Sequence, residues 1–395
     1  MQDPQKNTPI AWKFYCLLAG YVVVIFFANW HHLNQQGIFN NEYEPIANHL
    51  LNGDGYVISI GNKILYPIWG YSFLTMIGEL IGSPIFFLAV LQAALCIIGI
   101  YFFYKLFSLE KKYWHILLFT PFIALASVRW PDAIVGVLLI AAAYCFKVCL
   151  KNRSKKYAAV TGILLGILLN FRSEYLGILI LFLILAITSL FLRKNNLLPI
   201  SLIIVFFALV ALMPWSFYSH SIDKHFRLTS TNGGGVLYIS LGQLPNNPWG
   251  IMHSDSVAFA VAKEQGINDP YSTQGDSLLT AKFSNDIENE PIAYSEKIGY
   301  NVISSIVRGV YVGEFGGAIE KTIKVIFILL FDIFLVLAAL YFAKNYRKTL
   351  VLSIFLLVLY KFCIISFIQY EPRHMNAIYL FLLGPSLLFL KERRK

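Results

Sequence analysis

Charged residues are scarce in this chain, and their scarcity excludes most classes of soluble protein. Asp, Glu, Lys and Arg together make up 14% of the 395 residues, whereas hydrophobic residues make up 57%. Soluble domains carry roughly 25% charged residues, and a soluble fold of this length cannot hide so much apolar surface. The composition therefore indicates an integral membrane protein.

Motifs for nucleotides, metals and nucleic acids are also missing. No GxGxxG or P-loop occurs in the context that a nucleotide site needs, so a nucleotide-linked donor is not expected. All five cysteines fall inside apolar segments, which predicts neither a disulfide framework nor a zinc site. The net charge of +10 is spread over short loops, which argues against a nucleic-acid partner. We assign no metal ligands. The sequence does not decide whether the protein uses a divalent cation as a cofactor.

Long apolar runs dominate what is present. A bilayer core about 30 Å thick needs roughly 20 apolar residues per helix, and ten runs approach this length. We predict an all-α bundle of about ten spans, formed by 11–29, 84–107, 115–127, 133–150, 158–170, 175–192, 197–215, 319–343, 349–368 and 375–390. The shorter segment 66–82 is interrupted by glycines, and we predict that it forms an interfacial or re-entrant helix.

The basic residues predict the orientation of the bundle. If the N-terminus is inside, the Lys/Arg clusters at 111–112, 147–156, 193–194, 344–348 and 391–395 all face the cytoplasm, as the positive-inside rule requires. The sequence predicts three modules. The first, 1–215, contains transmembrane helices and a first outer loop (30–83) that carries the candidate catalytic site. The second, 216–317, is an outer loop with interfacial helices, and the third, 318–395, contains the C-terminal transmembrane helices.

The first outer loop contains two acids at the start of a short amphipathic helix. Ile46, Ala47 and Leu50 recur at helical spacing, and glycines follow them. Glu42 and Glu44 stand just before or at the start of this helix. Either acid stabilises the helix N-terminus through the dipole or acts as a general base at the membrane surface.

Several segments, in chain order, resemble the bacterial GT-C glycosyltransferases, namely the protein mannosyltransferase-like and aminoarabinose transferase-like enzymes. The matching segments are Tyr43-x-x-x-Ala47-x-x-Leu50-x-x-Gly53-x-Gly55-Tyr56, Tyr66-Pro67-Ile68-Trp69-Gly70-Tyr71, Arg129-Trp130-Pro131-Asp132, the glycine-rich stretch from Gly162 to Arg172, Pro214-Trp215 with Asn232-Gly233-Gly234, Asn289-Glu290-Pro291, and Glu371-Pro372-Arg373-His374. Together they cover nearly the whole chain.

The resemblance implies a membrane glycosyltransferase of the bacterial inner membrane, with its active site on the periplasmic or exterior face. Such an enzyme takes a sugar from a polyprenyl-phosphate donor and passes it, with inversion, to a cell-envelope glycan, lipid or protein. The family's first-loop acid stands three or four residues before Tyr43, where this chain has Phe39 and Asn40. Glu42 is therefore our first choice as the base, and Glu44 is the second.

Three further charged residues have both a structural and a catalytic interpretation. Asp132 follows a proline at the predicted start of a helix, where an acid is favourable, or it contributes to catalysis. Arg172 and Arg373 either snorkel beside Glu174 and Glu371 or hold the donor phosphate, which a guanidinium binds through parallel donors.

Substrate contacts are predicted at three positions in or after the matching motifs. Tyr43 and Tyr66 belong to the first loop, and Asn232 belongs to the segment Thr229–Gly235, which forms either a phosphate-binding nest or a flexible loop. The expected partners are the lipid-linked donor, an envelope acceptor and membrane lipids.

Two other classes of membrane protein remain as alternatives. One is an O-antigen polymerase or ligase, whose essential residues would lie in later outer loops. The other is a transporter or flippase, which needs charged residues within the bilayer. Asp332 and Lys361 are the candidates for that role.

Overall fold

The computed structural model describes residues 10–29, 42–59, 62–128, 130–191, 197–313 and 317–393. Within these ranges the chain is almost entirely helical, with a single two-stranded antiparallel ribbon. Phe39, Asn40 and Arg129, which entered the sequence comparison, lie outside the described residues. The predicted all-helical class is thus confirmed.

The elements follow one another in a chain of long and short helices. They are α1 (Ile10–Ala28), α2 (Glu44–Leu51), β1 (Val57–Ser59), β2 (Asn62–Lys63), α3 (Trp69–Leu80), α4 (Pro84–Phe107), α5 (His115–Leu118), α6 (Thr120–Ala124), α7 (Asp132–Asn152), α8 (Lys155–Leu169), α9 (Gly177–Phe191), α10 (Leu197–Asp223), α11 (Gly233–Ser240), α12 (Asp255–Glu264), α13 (Thr273–Asn289), α14 (Pro291–Val307), α15 (Gly317–Asn345), α16 (Thr349–Phe367) and α17 (Pro372–Arg393).

Six of the described helices, α4, α7, α10, α15, α16 and α17, are long and apolar enough to cross a membrane. These six indicate a multi-pass membrane protein. The remaining predicted spans correspond to shorter pieces: α1 and α9 are short apolar helices, and α8 has 15 residues. The count of ten therefore goes beyond what helix length and composition support.

The predicted span 115–127 is not a continuous helix. It is divided into α5, α6 and a 3₁₀ turn over Leu125–Ser127. Pro121 has no N–H with which to continue the helix of α5, and the hydroxyl of Thr120 donates instead to the carbonyl of Leu117 at 2.7 Å. The apolar pattern of 115–127 predicts one helix, but the proline interrupts the backbone hydrogen bonds that a continuous helix needs.

The first loop adopts the predicted short helices. In α2, Ile46 and Ala47 are buried. The 12 residues of α3 extend about 18 Å, too short for a span. The helix α10 runs on to Asp223, past the predicted module boundary at 215. In this extension the hydroxyl of Tyr218 shares its proton between the carbonyls of Tyr56 and Ile64, at 2.9 and 3.1 Å.

The polar residues separate to two ends of the bundle. We call residues 105–112, 147–156, 344–348 and 391–393 the basic end, where Lys147 caps the α4 carbonyl of Lys105 at 3.0 Å and Lys344 pairs with Glu392 at 2.8 Å. The site end comprises 42–59, 62–82, 130–132, 170–174 and 369–374. Long-range pairs at each end therefore tie neighbouring helices together.

Close packing of α8 on α10 depends on two glycines. A Cβ on Gly162 would lie 2.3 Å from the carbonyl oxygen of Ile204, and one on Gly166 would lie 2.5 Å from that of Ala208. Small residues spaced four apart let helix backbones approach in a membrane. This contact fixes the end of α8, from which Arg172 projects.

We expect Gly162→Val to destabilise the protein by roughly 1–3 kcal/mol, since the two backbones must separate to admit the side chain. Thermal unfolding in detergent, followed by tryptophan fluorescence, measures the change. Gly20→Val is the matched control, because nothing lies within 4 Å of a Cβ at Gly20 in α1. Equal melting of the two variants would contradict the proposed role of the α8–α10 contact.

Candidate active site

A buried ion pair joins α7 to the turn after α8. Asp132 is the first residue of α7, and its side chain is 8% exposed. One Nη of Arg172 lies 3.0 and 2.9 Å from the two carboxylate oxygens of Asp132. Burial opposes ionisation of Arg172, but the charges of Asp132 and Glu174 outweigh it and raise the pKa of the guanidinium. The pair is therefore fully ionised.

A second pair attaches α16 to the same turn. The ammonium of Lys361, which is 1% exposed, forms an ion pair with Glu174 and lies 4.7 Å from the ring centre of Tyr175. The hydroxyl of Tyr360 accepts from the N–H of Gly177 at 3.2 Å and donates to the carbonyl of Glu174. The turn 172–177 is thus held from two sides.

A third pair lies in the turn between α16 and α17. The Nε of Arg373 is 2.6 Å from the carboxylate of Glu371, and its guanidinium stacks 3.6 Å from the ring centre of Trp130. Burial opposes ionisation of Glu371, but Arg373 and Arg172 lower the pKa of the carboxyl below its usual range. Arg172 thus acts electrostatically on carboxylates of all three pairs.

We call these six residues the polar cluster, and their formal charges sum to zero. Its members are Asp132, Glu174, Glu371, Arg172, Lys361 and Arg373. Buried His374 lies beside them, and its Nε2 has no hydrogen-bond partner in the described part of the chain. The Nε of Arg172 is likewise buried and without a partner among the described residues. The Nε of Arg373 is also buried without a hydrogen bond among the described residues, although it forms an ion pair with Glu371.

Glu42 precedes α2 and differs from the acids of the polar cluster in having no ion-pair partner among the described residues. Burial and the charge of Asp255 raise the pKa of Glu42 to about 7, although a hydrogen bond with Tyr66 opposes the shift. Within the described residues its Oε2 is buried without a hydrogen-bond partner. A carboxylate of this kind accepts a proton readily near neutral pH.

Two tyrosines connect Glu42 with the polar cluster. The buried ring of Tyr43 packs edge-on against Tyr71 at 4.8 Å, and its hydroxyl is within electrostatic range of Glu42, Asp132 and Arg172. The hydroxyl of Tyr66 is likewise within electrostatic range of Glu42 and Arg172. The ring centre of Tyr66 lies 4.6 Å from that of Tyr271. One site therefore contains both the base candidate and the cations.

Asn170 holds the first loop on the end of α8. The indole Nε1 of Trp69 donates to Oδ1 of Asn170 at 2.7 Å, and the N–H of Gly70 donates to the main-chain carbonyl of Asn170 at 3.0 Å. A Cβ on Gly70 would lie 2.5 Å from that carbonyl oxygen. The motif Trp69-Gly70 thus makes one side-chain and one main-chain contact with Asn170.

Two predicted site residues lie elsewhere. Glu44 is the first residue of α2, and burial together with the charge of Glu44 raises the pKa of Glu79 on α3. Asn232 precedes α11, and its Oδ1 accepts from Ser230 at 2.6 Å. The neighbouring Thr231 donates from its N–H to the carbonyl of Leu65 at 3.2 Å, which brings Asn232 near Tyr66 but not into the polar cluster.

Four site residues were not assigned to the site from sequence. Lys361 was noted only as a transport candidate, although its position as a lone cation in an apolar run was a usable signal. His374 is part of the motif Glu371-Pro372-Arg373-His374, but the sequence analysis assigned it no function. Asp255 and Tyr271 carry no local signal, because the fold of the outer loop brings them to Glu42 and Tyr66.

The helix α14 fixes the turn that carries the third pair. Tyr294 and Lys297 donate to the carbonyl of Phe367 at 2.9 and 2.8 Å, and Asn301 donates to those of Ile365 and Ser366 at 3.3 and 3.1 Å. These three residues lie on one face of α14 and satisfy the last carbonyls of α16. Hydrogen bonds from α14 in the outer loop thus hold the end of α16, next to the turn that carries Glu371 and Arg373.

No protein-family model, curated protein or solved structure matches this chain. Among the described residues, no group of three His, Cys, Asp or Glu side chains is placed to hold a metal ion.

The Asp132–Arg172 pair makes a prediction that does not depend on function. We expect Asp132→Asn or Arg172→Met alone to cost roughly 3–5 kcal/mol, because each leaves a buried charge without its partner. The double variant should be more stable than the less stable single variant. Thermal unfolding of all four proteins in detergent gives the coupling energy.

A control for this cycle is the half-exposed i,i+4 pair Glu320–Lys324, for which we expect no more than about 1 kcal/mol. Simple additivity of the two substitutions at Asp132 and Arg172 would show that the buried pair is not coupled.

Proposed function

We propose that this protein is an integral membrane glycosyltransferase that moves a sugar from a polyprenyl-phosphate donor to a cell-envelope glycan, lipid or protein. The observation that carries the proposal is Glu42, a buried carboxylate with a pKa of about 7, in one site with the guanidiniums of Arg172 and Arg373. A transferase of this type needs a base for the acceptor hydroxyl and positive charge for the phosphate.

In the proposed reaction the acceptor oxygen attacks the anomeric carbon as the bond from that carbon to the phosphate oxygen breaks. The proton of the acceptor hydroxyl passes to Glu42, and the electron pair of the broken bond leaves with the polyprenyl phosphate. Attack from the face opposite the phosphate inverts the configuration. Tyr66, which forms a hydrogen bond with Glu42, orients the carboxylate for this step.

Arg172 is the first candidate to receive the donor phosphate. It uses one Nη for both oxygens of Asp132, which leaves its buried Nε without a partner among the described residues. Arg373 is the second candidate, since its guanidinium is held flat on Trp130. Asp132 then acts as a positioning residue for Arg172 rather than as a base.

An apolar cavity of about 70 Å³ supports a lipid-linked donor. It lies between α7, α8, α9 and α16, and its lining includes Leu139, Leu165 and Leu357. Leu139 on α7 is seven residues from Asp132, which is roughly 10 Å along the helix. An isoprenoid chain that runs along the apolar surface at this cavity, which is too small to hold the whole chain, would keep its phosphate near Arg172.

The remaining features of the proposal concern the membrane. We infer about ten spans, with α1, the α5–α6 segment, α8 and α9 added to the six long helices, and a GT-C-like arrangement. Because the basic end faces the cytoplasm by the positive-inside rule, the site end faces the periplasm or exterior of a bacterial inner membrane.

We expect Glu42→Gln to reduce sugar transfer by at least about a hundredfold, since the amide cannot take the proton. The assay is transfer of radiolabelled sugar from polyprenyl-phosphate donors to extracted envelope lipids and glycans, in membranes with matched expression. Glu44→Gln is the control, because Glu44 faces Glu79. Full activity in Glu42→Gln would exclude Glu42 as the base, and absence of transfer by the wild type with every donor would favour transport.

The same site predicts a pH dependence. Glu42 must be ionised to accept a proton, so the transfer rate should rise with pH through about 7. Asp255→Asn removes a like charge that raises the pKa of Glu42, and should move the midpoint to lower pH. Glu264→Gln, at the other end of α12, should leave the midpoint unchanged. A wild-type rate independent of pH between 5 and 9, about two units on either side of that pKa, would contradict this assignment.

A further inference from the structure

A pocket at the basic end lies far from the candidate active site. It has a volume of about 240 Å³ and opens where the connection between α4 and α5 meets the end of α17. Its floor is apolar and is formed by Leu109, Leu387 and Leu390. Leu390 is 41% exposed, so the floor continues onto the outer surface of the bundle.

Two lysines stand at the rim of this pocket. The ammonium of Lys391 is 3.5 Å from the carboxylate of Glu110, whose side chain is 77% exposed. Such an exposed pair contributes little stability, so Lys391 can exchange Glu110 for another anion. Lys112 forms no ion pair with any acid in the described ranges. The rim therefore carries a net charge of +1.

The remaining wall is aromatic and rigid. The Nδ1 of His115 is hydrogen-bonded to the hydroxyl of Tyr104 at 2.9 Å, and the indole of Trp114 packs edge-on against the imidazole at 4.3 Å. Trp114 is 52% exposed, as is usual for a tryptophan at a membrane interface. The adjacent Leu117 is 59% exposed and extends the apolar surface.

We propose that this pocket binds the headgroup phosphate of an anionic phospholipid in the cytoplasmic leaflet. Lys112 and Lys391 hold the phosphate, Trp114 covers the glycerol region, and the acyl chains follow Leu117 and Leu390. Basic pockets between membrane helices on this side are suited to acidic lipid headgroups. A free phosphate ion matches the two lysines but leaves the apolar floor unused.

The test uses Trp114 as the reporter. The full-length protein is placed in phosphatidylcholine nanodiscs, and an increasing fraction of phosphatidylglycerol with brominated acyl chains is added. We expect its quenching of tryptophan fluorescence to exceed that by brominated phosphatidylcholine, and the excess to disappear in Trp114→Phe. The double variant Lys112→Gln/Lys391→Gln should need about fivefold more phosphatidylglycerol per lysine removed for half-maximal quenching.

Two further variants separate a specific pocket from a general basic surface. Lys151→Gln/Lys155→Gln removes two exposed lysines from the same end and should leave the titration unchanged, and Lys112→Arg/Lys391→Arg should retain binding. Equal quenching by the two brominated lipids would overturn the proposal, as would an equal loss in the Lys151/Lys155 variant. Displacement of the excess quenching by inorganic phosphate would assign the pocket to a free anion instead.

Discussion

The Asp132–Arg172 ion pair is the constraint on which the site end depends. It joins the first residue of α7 to the turn after α8, and Arg172 also acts on Glu174 and Glu371. A buried charge needs a partner with good geometry, so each pair limits where the next helix can end. The positions of α16 and of the α16–α17 turn follow from this chain of pairs.

Backbone contacts carry the same constraint into the first loop. Asn170, two residues before Arg172, accepts from both Trp69 and Gly70. The glycines of α8 let its end approach α10 closely. Because the contacts of Gly70 and of the α8 glycines involve main-chain atoms, they allow little adjustment. Glu42 is therefore presented to the polar cluster by a rigid support rather than by a free loop.

Local patterns in the sequence predicted the helices and the neighbouring pair Arg373–Glu371, but not the partners that are distant in sequence. The spacing of Ile46 and Ala47 was sufficient for α2, and apolar length was sufficient for the long spans. The prediction of one continuous helix over 115–127 was wrong, because Pro121 interrupts the backbone hydrogen bonds of the helix. The hydrophobicity of the segment gives no sign of this interruption. The pairing of Glu174 with Lys361 joins residues 187 positions apart, and Asp255 reaches Glu42 through an irregular loop. Such contacts depend on tertiary packing, which no local pattern encodes.

The zero net charge of the polar cluster has a consequence for any anion that enters it. Each cation of the resting site is already paired with a carboxylate, so a phosphate that reaches the unpartnered Nε of Arg172 must compete with Asp132, Glu174 or Glu371 for the remaining donors. When the phosphate departs, the displaced acid returns to its former partner. Occupancy is thus an exchange between internal and external anions, and we expect such a site to release a bound phosphate group more easily than an unpaired cationic pocket would.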